Sequence, residues 1–180
     1  MTILPPWVAK KNKDNISIII EPGSGFGTGS HPTTQLCLKW IEKNIDSNST
    51  MLDYGCGSGI LSIAANKLGY LDVAGIDNDK QALLNAERNL SLNSAKVNFF
   101  HSENYNYEKQ YDVTVANILL NTIIELKDKL ISSLKPNGTL ILSGILDEQG
   151  SKLIEVFSPD IAISIIDIKE GWLLIKGKKD

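Results

Sequence analysis

Residues 51–59 read MLDYGCGSG, an apolar run that leads into Asp53 and then meets glycines at alternate positions, Gly55, Gly57 and Gly59. A strand that gives way to three glycines and then to the helical period of ILSIAANKL, 60–68, must turn sharply at its carboxyl end. The turn leaves backbone amides at a helix start free to face a ligand. This one segment therefore predicts a β-strand, a ligand-approachable loop and a helix, the first half of a βαβ unit.

The rest of the chain repeats the alternation. Strands are expected at 16–20, 50–54, 72–76, 96–100, 112–116, 139–143, 162–168 and 172–176, and helices at 32–44, 60–68, 80–90, 122–134 and 148–157. Several strands are nearly continuous apolar runs, as strands covered on both faces are. Asp79 is placed to cap the third helix, and KPNG at 135–138 stops the fourth. Only Lys169, Glu170 and Gly171 separate the last two strands, too few for a parallel crossover, so they form an antiparallel hairpin. The fold class is α/β: a Rossmann-like, mostly parallel seven-stranded sheet that ends in an antiparallel hairpin, with helices on both faces. Residues 1–15 carry no periodicity from which order can be read.

At 180 residues, with 42% hydrophobic and 22% charged residues, the chain has the size and balance of one domain with its own core. Its net charge of −3, with Arg88 the single arginine, disfavours direct nucleic-acid binding. Two cysteines, Cys37 and Cys56, lack the spacing of a zinc site, so no metal is expected. With no signal peptide and no run long enough to span a membrane, a cytoplasmic location is expected.

The second strand of the unit ends in GIDND, which puts Asp77 22 positions after Gly55, where such folds deliver a carboxylate to ribose hydroxyls. The glycine loop alone allows a purely structural turn, and Asp77 alone allows a helix cap; together they point to a nucleotide-bearing cofactor. The spacing G-x-G-x-G, with Ile60 where a dinucleotide fingerprint wants glycine, argues against a nicotinamide dehydrogenase. With Asp53 closing the strand before it, the segment resembles motif I of class I methyltransferases, which use S-adenosylmethionine.

Further strings narrow the resemblance. EPGSGFGTGSHPTT at 21–34, VANIL at 115–119 and LSGIL at 142–146, together with DYGCGSGILSIAA, are similar to the ribosomal protein L-eleven methyltransferase family (PrmA) over nearly the whole chain. That resemblance implies S-adenosylmethionine as cofactor and protein amino groups, lysine or an N-terminal amine, as methyl acceptors, with ribosomal protein L-eleven as the partner. It puts cofactor contacts at Thr34, Gly55, Asp77 and Asn117, with Asp53 and Gly57 beside them, and assigns Asn117 the catalytic position. Phe26 would cover an apolar part of the cofactor, with Thr28 next to it, in a glycine-rich lid. Residues 1–30 are then an N-terminal extension with that lid and 31–180 the methyltransferase domain, the family's N-terminal substrate-recognition domain being absent. A small-molecule acceptor, or a cofactor-binding module without turnover, would use the same residues. His31, in HPTT, and His101 are candidate proton acceptors, with helix-start packing the competing role for His31.

Overall fold

The computed structural model describes residues 1–8, 16–21 and 29–180. In chain order these form β1 (Thr2–Leu4), β2 (Ser17–Ile19), α1 (Pro32–Lys43), β3 (Thr50–Tyr54), α2 (Ile60–Leu68), β4 (Asp72–Asp77), α3 (Lys80–Ser91) and β5 (Asn98–His101). They continue with β6 (Tyr111–Asn117), α4 (Leu120–Glu125), α5 (Lys127–Ser132), β7 (Leu134–Leu146), α6 (Gly150–Phe157), β8 (Ala162–Lys169) and β9 (Trp172–Lys178). Seven strands make one sheet in the order β5-β4-β3-β6-β7-β9-β8. The pairs from β5 to β7 are parallel, whereas β9 runs antiparallel to both β7 and β8. The expected class, seven-stranded sheet and terminal hairpin are therefore the ones observed.

Both faces of this sheet are covered. On one, α1 and α2 contribute Leu36, Ile41, Ile63 and Ala64 to a cluster with Met51, Val73 and Val115. On the other, Ile123, Leu130, Leu153 and Phe157 from α4, α5 and α6 close over Leu52, Ala74, Leu140 and Leu142. The strand order reverses between β3 and β6, so a crevice opens at their carboxyl ends, where open α/β sheets bind ligands.

Three expectations are corrected. The strand expected at 16–20 does not join the main sheet; β2 pairs in parallel with β1, in a stretch of 1–15 that had no readable order. The single helix expected at 122–134 begins at Leu120 and breaks at Leu126, with α4 packed against α6 on one side of the break and α5 against β7 on the other. The helix expected from 148 starts at Gly150, after a short 3-10 turn at Asp147–Gln149. Asp79 does cap α3, accepting from the Gln81 amide at 2.8 Å.

The small β1–β2 ribbon buries Ile18 and Ile20 in the core beside α2. Its open edge is completed by side chains rather than by a strand. Asn93 exchanges bonds with the Ile19 backbone, accepting from its amide at 3.0 Å and donating to its carbonyl at 2.8 Å. Asn89, 1% exposed, accepts from the Glu21 amide and donates to the Ser58 carbonyl, both at 2.9 Å. Asn89 thus ties the chain before the HPTT segment to the glycine loop. Asn89→Ala removes the side-chain partner of a part-buried amide and a part-buried carbonyl, so a loss of about 1–3 kcal/mol in urea denaturation is expected. A loss below about 1 kcal/mol would mean that water replaces the amide.

Candidate functional site

The glycine loop begins where β3 ends. The amides of Gly55 and Cys56 donate to the Ile76 carbonyl at 2.8 and 2.9 Å, which folds the loop back over β4. Gly55 sits at φ +78°, and a Cβ there would lie 2.4 Å from the Ile118 Cγ2 atom, so only glycine fits both the turn and the contact. The Gly57 amide donates to Asp77 Oδ2 at 2.9 Å, and the Asp79 amide to Asp77 Oδ1 at 2.9 Å. Asp77, half-buried at the end of β4, is therefore held between the two loops that border the crevice.

Asp53 lies beneath the loop and is 1% exposed. Its Oδ2 accepts from the Ser62 amide at 3.1 Å and from Ser62 Oγ at 2.6 Å. Its Oδ1 is buried and accepts no hydrogen bond among the described residues. Burial pushes this carboxyl up to about 6; the two bonds from Ser62 oppose the shift, and the charge of Asp77 adds to it. Burial, then the neighbouring Asp53 charge, also raises the thiols of Cys37 and Cys56, which keeps them protonated and poor nucleophiles.

Across the crevice, Thr34 lies in the first turn of α1 and Asn117 is the last residue of β6. Asn117 Nδ2 donates to Thr34 Oγ1 at 3.4 Å, joining residues 83 positions apart. Asn117 does not cap the following helix, whose N-cap is Leu119. His31 does cap α1: its Nδ1 accepts from the Thr33 amide at 3.4 Å, and its ring meets Trp172 edge-on at 5.0 Å. His101, the last residue of β5, has its Nε2 3.0 Å from the carbonyl of Asn78, just beyond β4.

Asp53, Gly55, Gly57 and Asp77 thus gather at the carboxyl ends of β3 and β4, and Thr34 and Asn117 meet where α1 begins and β6 ends. Phe26 and Thr28, with the lid expected around them, lie outside the described residues. Among the described residues no cluster of three His, Cys, Asp or Glu side chains could hold a metal ion.

The family description "Ribosomal protein L11 methyltransferase (PrmA)" matches residues 1–180. The chain belongs to this family. A ribosomal protein L11 methyltransferase from Dechloromonas aromatica is 43% identical over 177 residues, 98% of this chain and 60% of that protein. The chain spans about 60% of the length of the curated relatives it matches. Among solved structures, a ribosomal protein L11 methylase from Lactobacillus delbrueckii subsp. bulgaricus superposes with a TM-score of 0.86 at 31% identity, covering 99% of this chain and 93% of that one. A 16S rRNA methyltransferase from T. thermophilus, solved with AdoMet and guanosine, shares the fold with a TM-score of 0.73 at 21% identity, over 86% of this chain and 45% of that one.

In this member of the PrmA family, sequence reasoning missed two residues of the site. Ser62 is a fully buried hydroxyl in the otherwise apolar stretch Ile60–Ala65 of α2, and a lone serine in that setting was the available signal. Ile118, next to Asn117, touches the glycine loop at Gly55, and nothing local in VANIL marks it.

Proposed function

We propose that this chain is an S-adenosylmethionine-dependent N-methyltransferase that acts on protein amino groups, lysine or N-terminal, with ribosomal protein L11 as the substrate. Asp53 carries the cofactor reading. A buried carboxylate oxygen with no hydrogen-bond donor among the described residues, under a glycine loop and next to Asp77, suits a ligand that brings positive charge and donors. In this reading S-adenosylmethionine supplies the methyl group, which passes in line from its sulfur to an unprotonated amine.

The residues then divide the work. Gly55 and Gly57 give the ligand a backbone surface, Asp77 accepts from its ribose hydroxyls, and Thr34 and Asp53 serve its methionine end, with Phe26 and Thr28 above. Asn117 is the group placed to touch the acceptor. Its Nδ2 is engaged by Thr34, which leaves Oδ1 to accept from the incoming amine. A free lysine amine has a pKa near 10.4 and is mostly charged at pH 7, so desolvation beside an acceptor oxygen favours the neutral nucleophile. No acid–base triad is needed where alignment and deprotonation suffice.

Residues 31–180 form the catalytic domain in this proposal and 1–30 an N-terminal extension, in a cytoplasmic enzyme that binds neither membrane nor nucleic acid directly. Among the described residues no helix is long and apolar enough to cross a membrane. The test is calorimetric titration with S-adenosylmethionine, then transfer of labelled methyl to purified ribosomal protein L11 and to a whole-cell extract. Binding with label on ribosomal protein L11 supports the full proposal. Label only elsewhere moves the substrate, and no binding removes the cofactor. Asn117→Ala is expected to lower turnover about 100-fold while cofactor affinity changes less than about threefold; equal losses in both would make Asn117 a cofactor ligand only.

A further inference from the structure

We propose that Ile118 is a positioning residue that transmits ligand occupancy of the glycine loop to the acceptor residue Asn117, with Gly55 and Gly144 as its two bearings. The inference rests on the cofactor reading above and adds a coupling that neither the fold nor the family match contains.

Ile118 follows Asn117 directly and is half-buried. Its side chain stands over Gly55, where a Cβ would meet Ile118 Cγ2 at 2.4 Å and nothing else closer than 3.9 Å. Its backbone rests on Gly144, where a Cβ would lie 2.3 Å from the Ile118 carbonyl oxygen, 2.8 Å from its carbonyl carbon and 3.1 Å from its nitrogen. Gly144 has φ +87°, so the backbone bends there and no side chain intervenes.

Gly144 does not yield easily. It lies in a bulge of β7, between the pairs Leu142 with Ile175 and Ile145 with Leu173. Bulges of this kind re-aim a strand next to a site. The adjacent Ser143, fully buried, donates from Oγ to the Leu173 carbonyl at 2.8 Å and pairs across the sheet with Asn117. Ile118 is therefore pressed between a loop that meets the ligand and a bulge that is pinned. On the side away from the Ile76 carbonyl, a shift of Gly55 is passed through Ile118 into the 117–119 segment. The contact is made by Cγ2, a branch on Cβ whose place is set by a single torsion. Valine keeps that methyl and leucine does not.

The probe is S-adenosylhomocysteine, added to 15N-labelled chain and followed by amide chemical shifts. In the unmodified protein the amides of Gly57, Ile118 and Gly144 are expected to move along one saturation curve. Ile118→Val keeps all three responses. Ile118→Leu binds within about threefold, as read at Gly57, but loses more than half of the shift at Gly144, and its methyl transfer falls more than tenfold relative to Ile118→Val. A silent Gly144 in the unmodified protein, or a full Gly144 response in Ile118→Leu, overturns the coupling while leaving cofactor binding intact. No response at Gly57 at any concentration overturns the cofactor reading and the coupling with it.

Discussion

Asp53→Asn is expected to make the ligand-free chain about 1–3 kcal/mol more stable at pH 7 and to weaken its binding of S-adenosylmethionine more than tenfold. The two effects share one cause. Asp53 is buried to 1% exposure, and burial raises its carboxyl from 3.8 to about 6, with Asp77 adding to the shift and Ser62 opposing it. A folded-state value above the unfolded one means that the native chain holds this proton more tightly than the unfolded chain. The stability contributed by Asp53 is full below about pH 4, falls as pH rises, and is gone above about pH 6, a difference of about 3 kcal/mol. Asparagine removes the charge, keeps an oxygen for Ser62 and leaves one amide donor unmatched, so most but not all of that difference is recovered. Urea denaturation at pH 4 and pH 7 measures it: the variant gains at the higher pH only. Affinity moves the opposite way. If the ionised carboxylate receives the cofactor's positive end, binding by the unmodified chain strengthens about tenfold per pH unit up to about 6 and then levels, whereas the variant is flat. A pH slope shared by both proteins would take Asp53 out of the linkage. Stability given up at a ligand site is the usual relation between a binding residue and the fold around it.

What the sequence could reveal depended on how local the cause was. β3 and α2 lie where expected because the apolar run, the glycines and the helical period all fall within one 19-residue stretch. Asp77 and Asn117 could be placed at strand ends for the same reason. Their partners could not. The bond from Asn117 to Thr34 joins β6 to α1, and the support that Asp77 gives to Gly57 adds a loop-holding role to the ribose-binding one read from spacing alone. The break at Leu126 separates two short helices packed on different elements, in a segment whose own periodicity suits one helix. Asn89 and Asn93 recur with Ala86 and Leu90 at helical spacing, so two amides stand in what reads as an apolar stripe, and the open edge of β2 and the Ser58 carbonyl, both distant in sequence, explain them.

Asp77→Ala is expected to weaken cofactor binding by about 2–4 kcal/mol, roughly 30- to 1,000-fold in Kd, more than the loss of ribose contacts alone. Each carboxylate oxygen already accepts an amide, Gly57 at one side and Asp79 at the other, and each retains a lone pair for a hydroxyl. Alanine therefore removes the ligand's acceptor and frees the loop that shapes its seat. Asp77→Asn separates the two roles. One of its terminal atoms becomes a donor facing an amide donor, Gly57 or Asp79, so one loop is released while a single acceptor oxygen remains. Its affinity should fall between those of the unmodified chain and the alanine variant, and chain stability should drop by about 1 kcal/mol in both. Calorimetry beside urea denaturation distinguishes the outcomes. Unchanged affinity in Asp77→Ala would exclude Asp77 from the ligand site, and a loss of stability with no loss of affinity would reduce it to a strut between two loops. The graded series is the signature of a carboxylate that holds its own site together with the same oxygens it offers to the ligand.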